Sequence, residues 1–289
     1  MISVVIPIYN EEKAITETIE YVKQVCATMR LPFEIIVIDD GSTDSTPAIL
    51  HSLEGITSIF HLHNIGYGRS LKDGICAARY DTIVITDADL TYPFDRVPDL
   101  YREYLKGFDM VVGARSGKNY TESVFKRPLR RILKLIVEFV AEREIPDVNS
   151  GLRIFNRNTA KTFFHHLCDG FSFTTSITLG YMMTGKFVAY VPVGYNKRSG
   201  RTKVKLYRDS LRTMQYILQA AMYYNPLKMF FSLAFLCVIC AFSGFLMSAL
   251  FHLRVGFLFG TGSLLVALFV LCLGFLADLL KQILSKGNI

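Results

Sequence analysis

The N-terminal half of the chain alternates short, almost uninterrupted apolar runs with longer segments in which apolar residues recur every three or four positions. Ile2–Pro7, Phe33–Asp39, Ser58–His63, Asp81–Thr86 and Asp109–Ala114 are rich in Val and Ile, as expected of strands buried on both faces. Between them, Glu11–Met29, Ser45–Leu53, Tyr67–Arg79 and Phe94–Lys106 read as helices. The alternation predicts an α/β fold with a mostly parallel, Rossmann-like sheet and helices on both of its faces. From residue 115 the pattern changes. Phe125, Leu129, Ile132, Ile136 and Phe139 repeat at helical spacing, with Arg127, Arg130, Arg131 and Lys134 on another face. A segment of this kind, about 124–143, is either an amphipathic helix lying on an anionic membrane or a surface helix with a solvated basic face. A second one occupies 205–228, with Lys205, Arg208 and Arg212 on one side and Asn225-Pro226 limiting the helix.

Two further runs lack any polar face. Met229–Phe251 and Val255–Ala277 contain no charged residue and are each about 23 residues long, against the roughly 20 needed to cross a bilayer as a helix. Only His252-Leu253-Arg254 separates them, which predicts a transmembrane hairpin over 229–289 with a short tail. The alternative is a pair of buried core helices, which seldom lack polar positions at this length. Residues 1–204 then form the large domain and 205–228 a juxtamembrane helix. Cations are dense from Lys197 to Arg212 and at Lys228, and return at Lys281 and Lys286, whereas the turn holds only Arg254. By the positive-inside rule both ends and the large domain are expected in the cytosol, on a multi-pass protein of the cell (inner) membrane. Ile2–Ile6 is too short for the apolar region of a signal peptide, and Glu11 and Glu12 follow closely.

Composition sharpens this picture. The 289 residues are 51% apolar with a net charge of +7. A basic balance suits nucleic acid or an anionic membrane surface. The hairpin favours the membrane, so no nucleic-acid partner is expected. The six Cys are scattered like reduced thiols, and Cys237-Val238-Ile239-Cys240 lies inside an apolar run where Cys serves as a small apolar residue. The sequon Asn119-Tyr120-Thr121 is silent in a cytosolic domain.

In sheets of this class ligands bind beyond the C-terminal ends of the strands. Those ends carry Pro7-Ile8-Tyr9-Asn10-Glu11-Glu12, Asp39-Asp40-Gly41-Ser42-Thr43-Asp44, His63-Asn64-Ile65-Gly66-Tyr67-Gly68 and Asp87-Ala88-Asp89. Two carboxylates spaced like Asp87 and Asp89 can reach a hard cation while a diphosphate supplies further oxygens. About one such triplet arises by chance in a chain of this length, so its place after the Val/Ile run is what gives it weight. Asp39 and Asp40 can accept hydrogen bonds from a ribose hydroxyl or a base N–H. Asp44 either caps the next helix or joins the site. Asn64-Ile65-Gly66-Tyr67-Gly68 is either a loop near the nucleotide or a tight turn.

These motifs, with Val112-Gly113-Ala114-Arg115, Asn149-Ser150-Gly151-Leu152-Arg153 and Tyr195–Lys203, resemble the family 2 glycosyltransferases of GT-A fold. Within these the chain is most similar to the polyprenyl-phosphate glycosyltransferases, the group of dolichol-phosphate mannose synthase. The resemblance covers roughly residues 1–228, and the two-span tail matches a common bacterial form. It implies that Pro7, Tyr9, Glu11, Asp39, Asp40, Gly68, Asp87 and Ala88 surround a nucleotide-sugar. It implies that Asp87 and Asp89 handle a metal diphosphate with Mg²⁺ or Mn²⁺, and that Asp89, Arg115 and Arg198 act in catalysis. Arg115, Arg127, Arg130, Arg131, Arg198 and Lys203 correspond to the group that holds the acceptor phosphate. Thr91 departs from the pattern, since many members carry Gln two residues after the second Asp, and Arg201-Thr202-Lys203 departs from the usual small-residue and Ser-Lys ending. The expected activity is inverting transfer of a hexose, from a donor of the UDP-glucose or GDP-mannose type, to polyprenyl phosphate. The expected partners are the nucleotide-sugar, the lipid phosphate and the membrane, with a homo-oligomer left open. The competing readings are a non-catalytic lipid-carrier binding or scaffold subunit and a relative of processive polysaccharide synthases. The latter normally carry a Gln-x-x-Arg-Trp motif, and this chain has no Trp.

Overall fold

A computed structural model of the chain describes residues 1–116, 127–196 and 206–286. The elements run β1 (Ile2–Ile8), α1 (Ile15–Thr28), β2 (Phe33–Asp39), α2 (Thr46–Ser52), β3 (Thr57–Phe60), α3 (Tyr67–Ala77), β4 (Thr82–Ile85), α4 (Val97–Tyr104) and β5 (Met110–Ser116). They continue with α5 (Arg127–Ala141), β6 (Arg153–Asn156), α6 (Arg157–Thr162), α7 (Phe173–Met183), β7 (Val188–Gly194), α8 (Leu206–Tyr224), α9 (Pro226–Phe251) and α10 (Arg254–Lys286). The chain divides into two compact units, Met1–Ile217 and Leu218–Ile289.

The first unit is built on one seven-stranded sheet of order β3-β2-β1-β4-β6-β5-β7. β1, β2, β3 and β4 pair in parallel, as do β5 and β7, but β6 runs antiparallel between β4 and β5. Every residue of β1 is buried because both faces are covered. Ile2, Val4, Ile6 and Ile8 pack with Ile15, Ile19 and Val22 of α1 on one face. Val5, Ile36 and Ile38 pack with Leu71 and Ile75 of α3 and Phe173 and Ile177 of α7 on the other. The β1–β4 ladder ends at Val5↔Ile85, two residues before Pro7, which has no N–H to offer.

Element boundaries move where side chains capture the backbone. α1 begins at Ile15 rather than Glu11, because the N–H groups of Glu11 and Glu12 bond to Thr46 Oγ1 and Asp44 Oδ2 instead of entering a helix. β3 ends at Phe60, three residues short of His63, where the His61 ring turns to Asp40 and Asp73. β6 and β7 have no counterpart among the expected strands.

In the second unit α9 and α10 form an antiparallel hairpin, with His252 in the left-handed region (φ 54°) ending α9. A Cβ on Gly244 would lie 2.7 Å from the Gly260 nitrogen, so the two backbones approach as closely as small residues permit. Only 17% of the most apolar stretch of each helix is buried, and Phe235, Leu250, Phe269 and Val255 are among the exposed side chains. This is the pattern of a membrane protein rather than of a buried core pair.

Candidate active site

The loops after β1 and β2 are laced together. Asn10, held in the left-handed region (φ 52°), donates its N–H to Ser42 Oγ (2.8 Å) and accepts from Thr43 N (2.7 Å). Glu12 accepts from Ser45 N (3.0 Å), and Asp44 accepts from both Thr46 N and Glu12 N. Burial works to raise the Asp44 carboxyl, but the Thr46 and Glu12 hydrogen bonds outweigh it and hold the group below the ordinary carboxylate range. Asp44 thus takes the capping role at the start of α2. Pro7 is buried and Tyr9 and Glu11 are half-buried on the same edge.

Asp39 and Asp40 are 2% and 3% exposed. Asp39 accepts from Ser42 N at 3.2 Å. Asp40 accepts from Ile65 N (3.0 Å), Gly66 N (2.9 Å) and the His61 ring (3.0 Å), so it anchors the β3–α3 loop from inside the protein. Gly68 serves packing at this point: a Cβ there would sit 2.2 Å from the Cys168 carbonyl oxygen. The 167–170 segment seals the start of α3, with Arg69 N donating to Asp169 O and Lys72 Nζ to Leu167 O and Asp169 Oδ1.

β4 delivers Asp87, Ala88 and Asp89 to a turn in which Leu90 is left-handed (φ 57°). The Thr18 hydroxyl donates to Ala88 O (2.8 Å), Asn196 N to Thr91 O (2.9 Å) and Asn196 Nδ2 to Leu90 O (3.2 Å). The backbone of the turn is therefore fixed from α1 and from the strand exit of β7. Asp87 Oδ1 accepts from the Tyr67 hydroxyl (3.1 Å), and Asp89 Oδ1 accepts from the Thr91 hydroxyl (2.5 Å) and the Thr91 N–H (3.2 Å). Burial, then the Asp87 charge, raises the Tyr67 phenol well above its ordinary value, so it stays a donor.

Because β6 is antiparallel, the residues that enter it lie beside those that leave β4. A Cβ on Gly151 would stand 2.8 Å from both Asp87 carboxylate oxygens, so glycine there makes the space the carboxylate occupies. Gly151 N donates to the Tyr92 hydroxyl (2.8 Å). Burial foremost pushes that phenol up too. Arg153, wholly buried, satisfies its guanidinium on Ser150 O, Val148 O and the Thr178 hydroxyl. It fixes the Asn149–Arg153 segment to the sheet, and among the described residues no carboxylate pairs with it.

On β5, Arg115 grips Asp147 bidentately, Nε to Oδ2 at 2.7 Å and Nη2 to Oδ1 at 2.8 Å, and its N–H adds a third bond at 3.1 Å. Its guanidinium lies 5.6 Å from the Tyr195 ring centre. Burial acts to raise the Asp147 carboxyl, but the Arg115 bonds and charge prevail and hold it below the ordinary value. Arg115 enters the site as half of an ion pair. Arg198 and Lys203 lie outside the described residues, as do the side chains of Arg127, Arg130 and Arg131, whose backbone is helical in α5.

The expected residues of the first four strand ends thus share one edge of the sheet. Sequence reasoning missed Tyr67 as a hydroxyl donor, Gly151 as the space beside Asp87, and Asp147. It noted Thr91 only as a departure. Among the described residues no cluster of three or more His, Cys, Asp or Glu could hold a metal by itself. Two carboxylates alone fit a cation whose other oxygens come from a diphosphate, the arrangement usual for Mg²⁺.

A family model described as "Glycosyl transferase family 2" matches residues 3–173. The undecaprenyl-phosphate 4-deoxy-4-formamido-L-arabinose transferase of Salmonella choleraesuis (strain SC-B67) is 28% identical over 255 residues, covering 86% of this chain and 75% of the relative. The protein of the same description from Salmonella paratyphi B matches to the same extent. Glucosyl-3-phosphoglycerate synthase from Mycobacterium tuberculosis in complex with phosphoglyceric acid has the same fold, with TM-score 0.61 and 22% identity over 76% of this chain and 80% of that one. Its complex with Mn²⁺, uridine diphosphate and glucosyl-3-phosphoglycerate gives 0.60 and 23% over the same shares.

Proposed function

The chain belongs to glycosyl transferase family 2, and from that premise we propose that it transfers a sugar from a nucleoside-diphosphate sugar to a polyprenyl phosphate at a membrane surface. The observation that carries the donor half is the Asp87–Asp89 turn, held at the end of β4 by Tyr67, Thr91 and Gly151. The acceptor half rests on the names of the Salmonella relatives and on the exposed apolar hairpin.

Asp87 and Asp89 would hold the divalent cation, Mg²⁺ or Mn²⁺, which when bound neutralises charge building on the leaving diphosphate. Pro7, Tyr9, Glu11 and Asp39 would surround the nucleotide, with Asp40 keeping the neighbouring loop in place. The acceptor phosphate, with a second pKa of about 6, is already largely anionic at neutral pH and needs no general base. One of its oxygens attacks the anomeric carbon while the bond to the diphosphate oxygen breaks, and the nucleoside diphosphate leaves with the electron pair. In-line attack inverts the anomeric configuration. The protein has to orient two anions and keep them from repelling each other. Arg115, with Arg127, Arg130, Arg131, Arg198 and Lys203, would supply cations on the acceptor side. The donor is of the UDP-glucose or GDP-mannose type, or the nucleotide-linked formamido-arabinose to which the relatives' names point.

The experiment incubates the full-length chain in detergent with each labelled donor, undecaprenyl phosphate and Mg²⁺ or Mn²⁺. One donor should yield an undecaprenyl-phosphate sugar, and excess chelator should abolish the product. Absence of lipid product from every donor would overturn the acceptor assignment, and full activity in chelator the cation. Reporters at residues 1 and 289 should both face the cytosol and one beside Arg254 the far side. Opposite locations for the two ends would sink the hairpin topology.

A further inference from the structure

Both carboxylates of the Asp87–Asp89 turn receive a side-chain hydroxyl on the same kind of atom. Tyr67 donates to Asp87 Oδ1 at 3.1 Å and Thr91 to Asp89 Oδ1 at 2.5 Å. The two donors come from different parts of the chain, one from the first residue of α3 and one from the turn itself. We infer that Tyr67 and Thr91 are positioning residues that set the cation affinity of the turn by fixing the rotation of its two carboxylates. The inference rests on the proposed role of Asp87 and Asp89 in holding a divalent cation.

A free carboxylate at a turn samples several rotamers, and binding a cation in one of them costs the freedom lost. A donor already bonded to one oxygen removes that cost in advance and aims the carboxylate. Partners of this kind around metal ligands are typically worth 10–100-fold in affinity. Thr91 is 1% exposed, so its hydroxyl has no solvent to exchange with and Asp89 is its partner within 2.5 Å. Tyr67 is held just as firmly, its ring stacked on Phe171 with centroids 5.9 Å apart and planes 16° from parallel.

The backbone of the turn does not depend on either hydroxyl. Thr18 and Asn196 bond the carbonyls of Ala88, Leu90 and Thr91, and the Thr91 N–H reaches Asp89 independently. Removing a hydroxyl should therefore loosen a carboxylate without unfolding the turn. That makes the role testable apart from stability.

The test titrates Mn²⁺ into the full-length chain in detergent with UDP, and separately with GDP, reading free Mn²⁺ by electron paramagnetic resonance. Melting temperature is measured in parallel without metal. Thr91→Val and Tyr67→Phe should each need about tenfold more Mn²⁺ for half-occupancy. Thr91→Ser, which keeps the hydroxyl, should restore binding, and melting temperatures should stay at the wild-type value. If the wild type binds Mn²⁺ and both hydroxyl-free variants bind it equally well, the positioning role is overturned while the cation site stands. A wild type that binds no Mn²⁺ with either nucleotide overturns both. Weakened binding in Thr91→Val that tracks a lowered melting temperature and is not rescued by serine overturns the role as well, since the residue would then act through the fold.

Discussion

The ends of β2 and β4 both present pairs of buried or half-buried acids on one edge of the sheet, yet the two regions use them differently. At β2, Asp40 and Asp44 accept mainly backbone N–H groups, from Ile65, Gly66, Thr46 and Glu12, while Asp39, which accepts from Ser42 N, keeps the nucleotide role proposed for it. A carboxylate bonded in this way is a cross-link between loops, because moving it would unmake the backbone around it. At β4, Asp87 accepts from the Tyr67 hydroxyl and Asp89 from both the hydroxyl and the N–H of Thr91 in its own turn, and a glycine clears the space beside Asp87. There the backbone is fixed by other groups. An acid near a strand end is thus not read by its location alone. What donates to it distinguishes a structural tie from a ligand.

Three substitutions test this division. Asp147 belongs with the ties, and Asp147→Ala removes the carboxylate that the Arg115 guanidinium, 15% exposed at its side chain, grips bidentately. Breaking a buried pair in this way should cost roughly 3–5 kcal/mol. The sign of its pH dependence follows from its lowered carboxyl: the stabilisation is present above the ordinary value of 3.8 and lost as pH falls through the depressed one. Melting curves should show the wild type and Asp147→Ala far apart at neutral pH and converging in acid below that value. A constant gap would contradict the pair. Next, Asp89→Asn should lower kcat by about 10²–10³-fold, the scale seen when one electrostatic contact to developing charge is removed. Its melting temperature should not fall, since the substitution takes a charge away from a like-charged neighbour. A destabilised Asp89→Asn would make this region another cross-link. The smallest effect is expected for Asp40→Ala, which leaves the Ile65 and Gly66 N–H groups without their acceptor and should cost about 1–3 kcal/mol. Mn²⁺ affinity in the presence of UDP should survive it, and a loss would erase the distinction between the two regions.

Much of the first half of the fold was legible because β1, β2, β4 and β5 are continuous apolar runs. β6 escaped notice because it is four residues long and opens on Arg153, a charge that only the folded sheet can satisfy. β7 is half-exposed and contains Pro192, which suits the last strand of the sheet but not a run of the earlier kind. α7 is buried almost all round, so it has no polar face from which a helical period could be read. The site follows the same division. Asp87 and Asp89 announced themselves by spacing and place, whereas Gly151 and Tyr67 acquire their roles only once β6 and α3 converge on β4. Thr91 stood out only as a departure from a family pattern, and its hydroxyl bond gives that departure a physical content.

The antiparallel β6 also has a consequence in time. Synthesis delivers β1 to β4 first, and these can pair through residue 85, but the second edge of β4 waits for Arg153–Asn156. At ~5–20 residues per second those intervening residues take roughly 3–14 s to emerge. For that interval a growing chain carries a Val/Ile strand with one open edge, the template most apt to pair with a neighbouring nascent chain. The strand that completes the catalytic edge is therefore also the one that closes a window of aggregation on the ribosome.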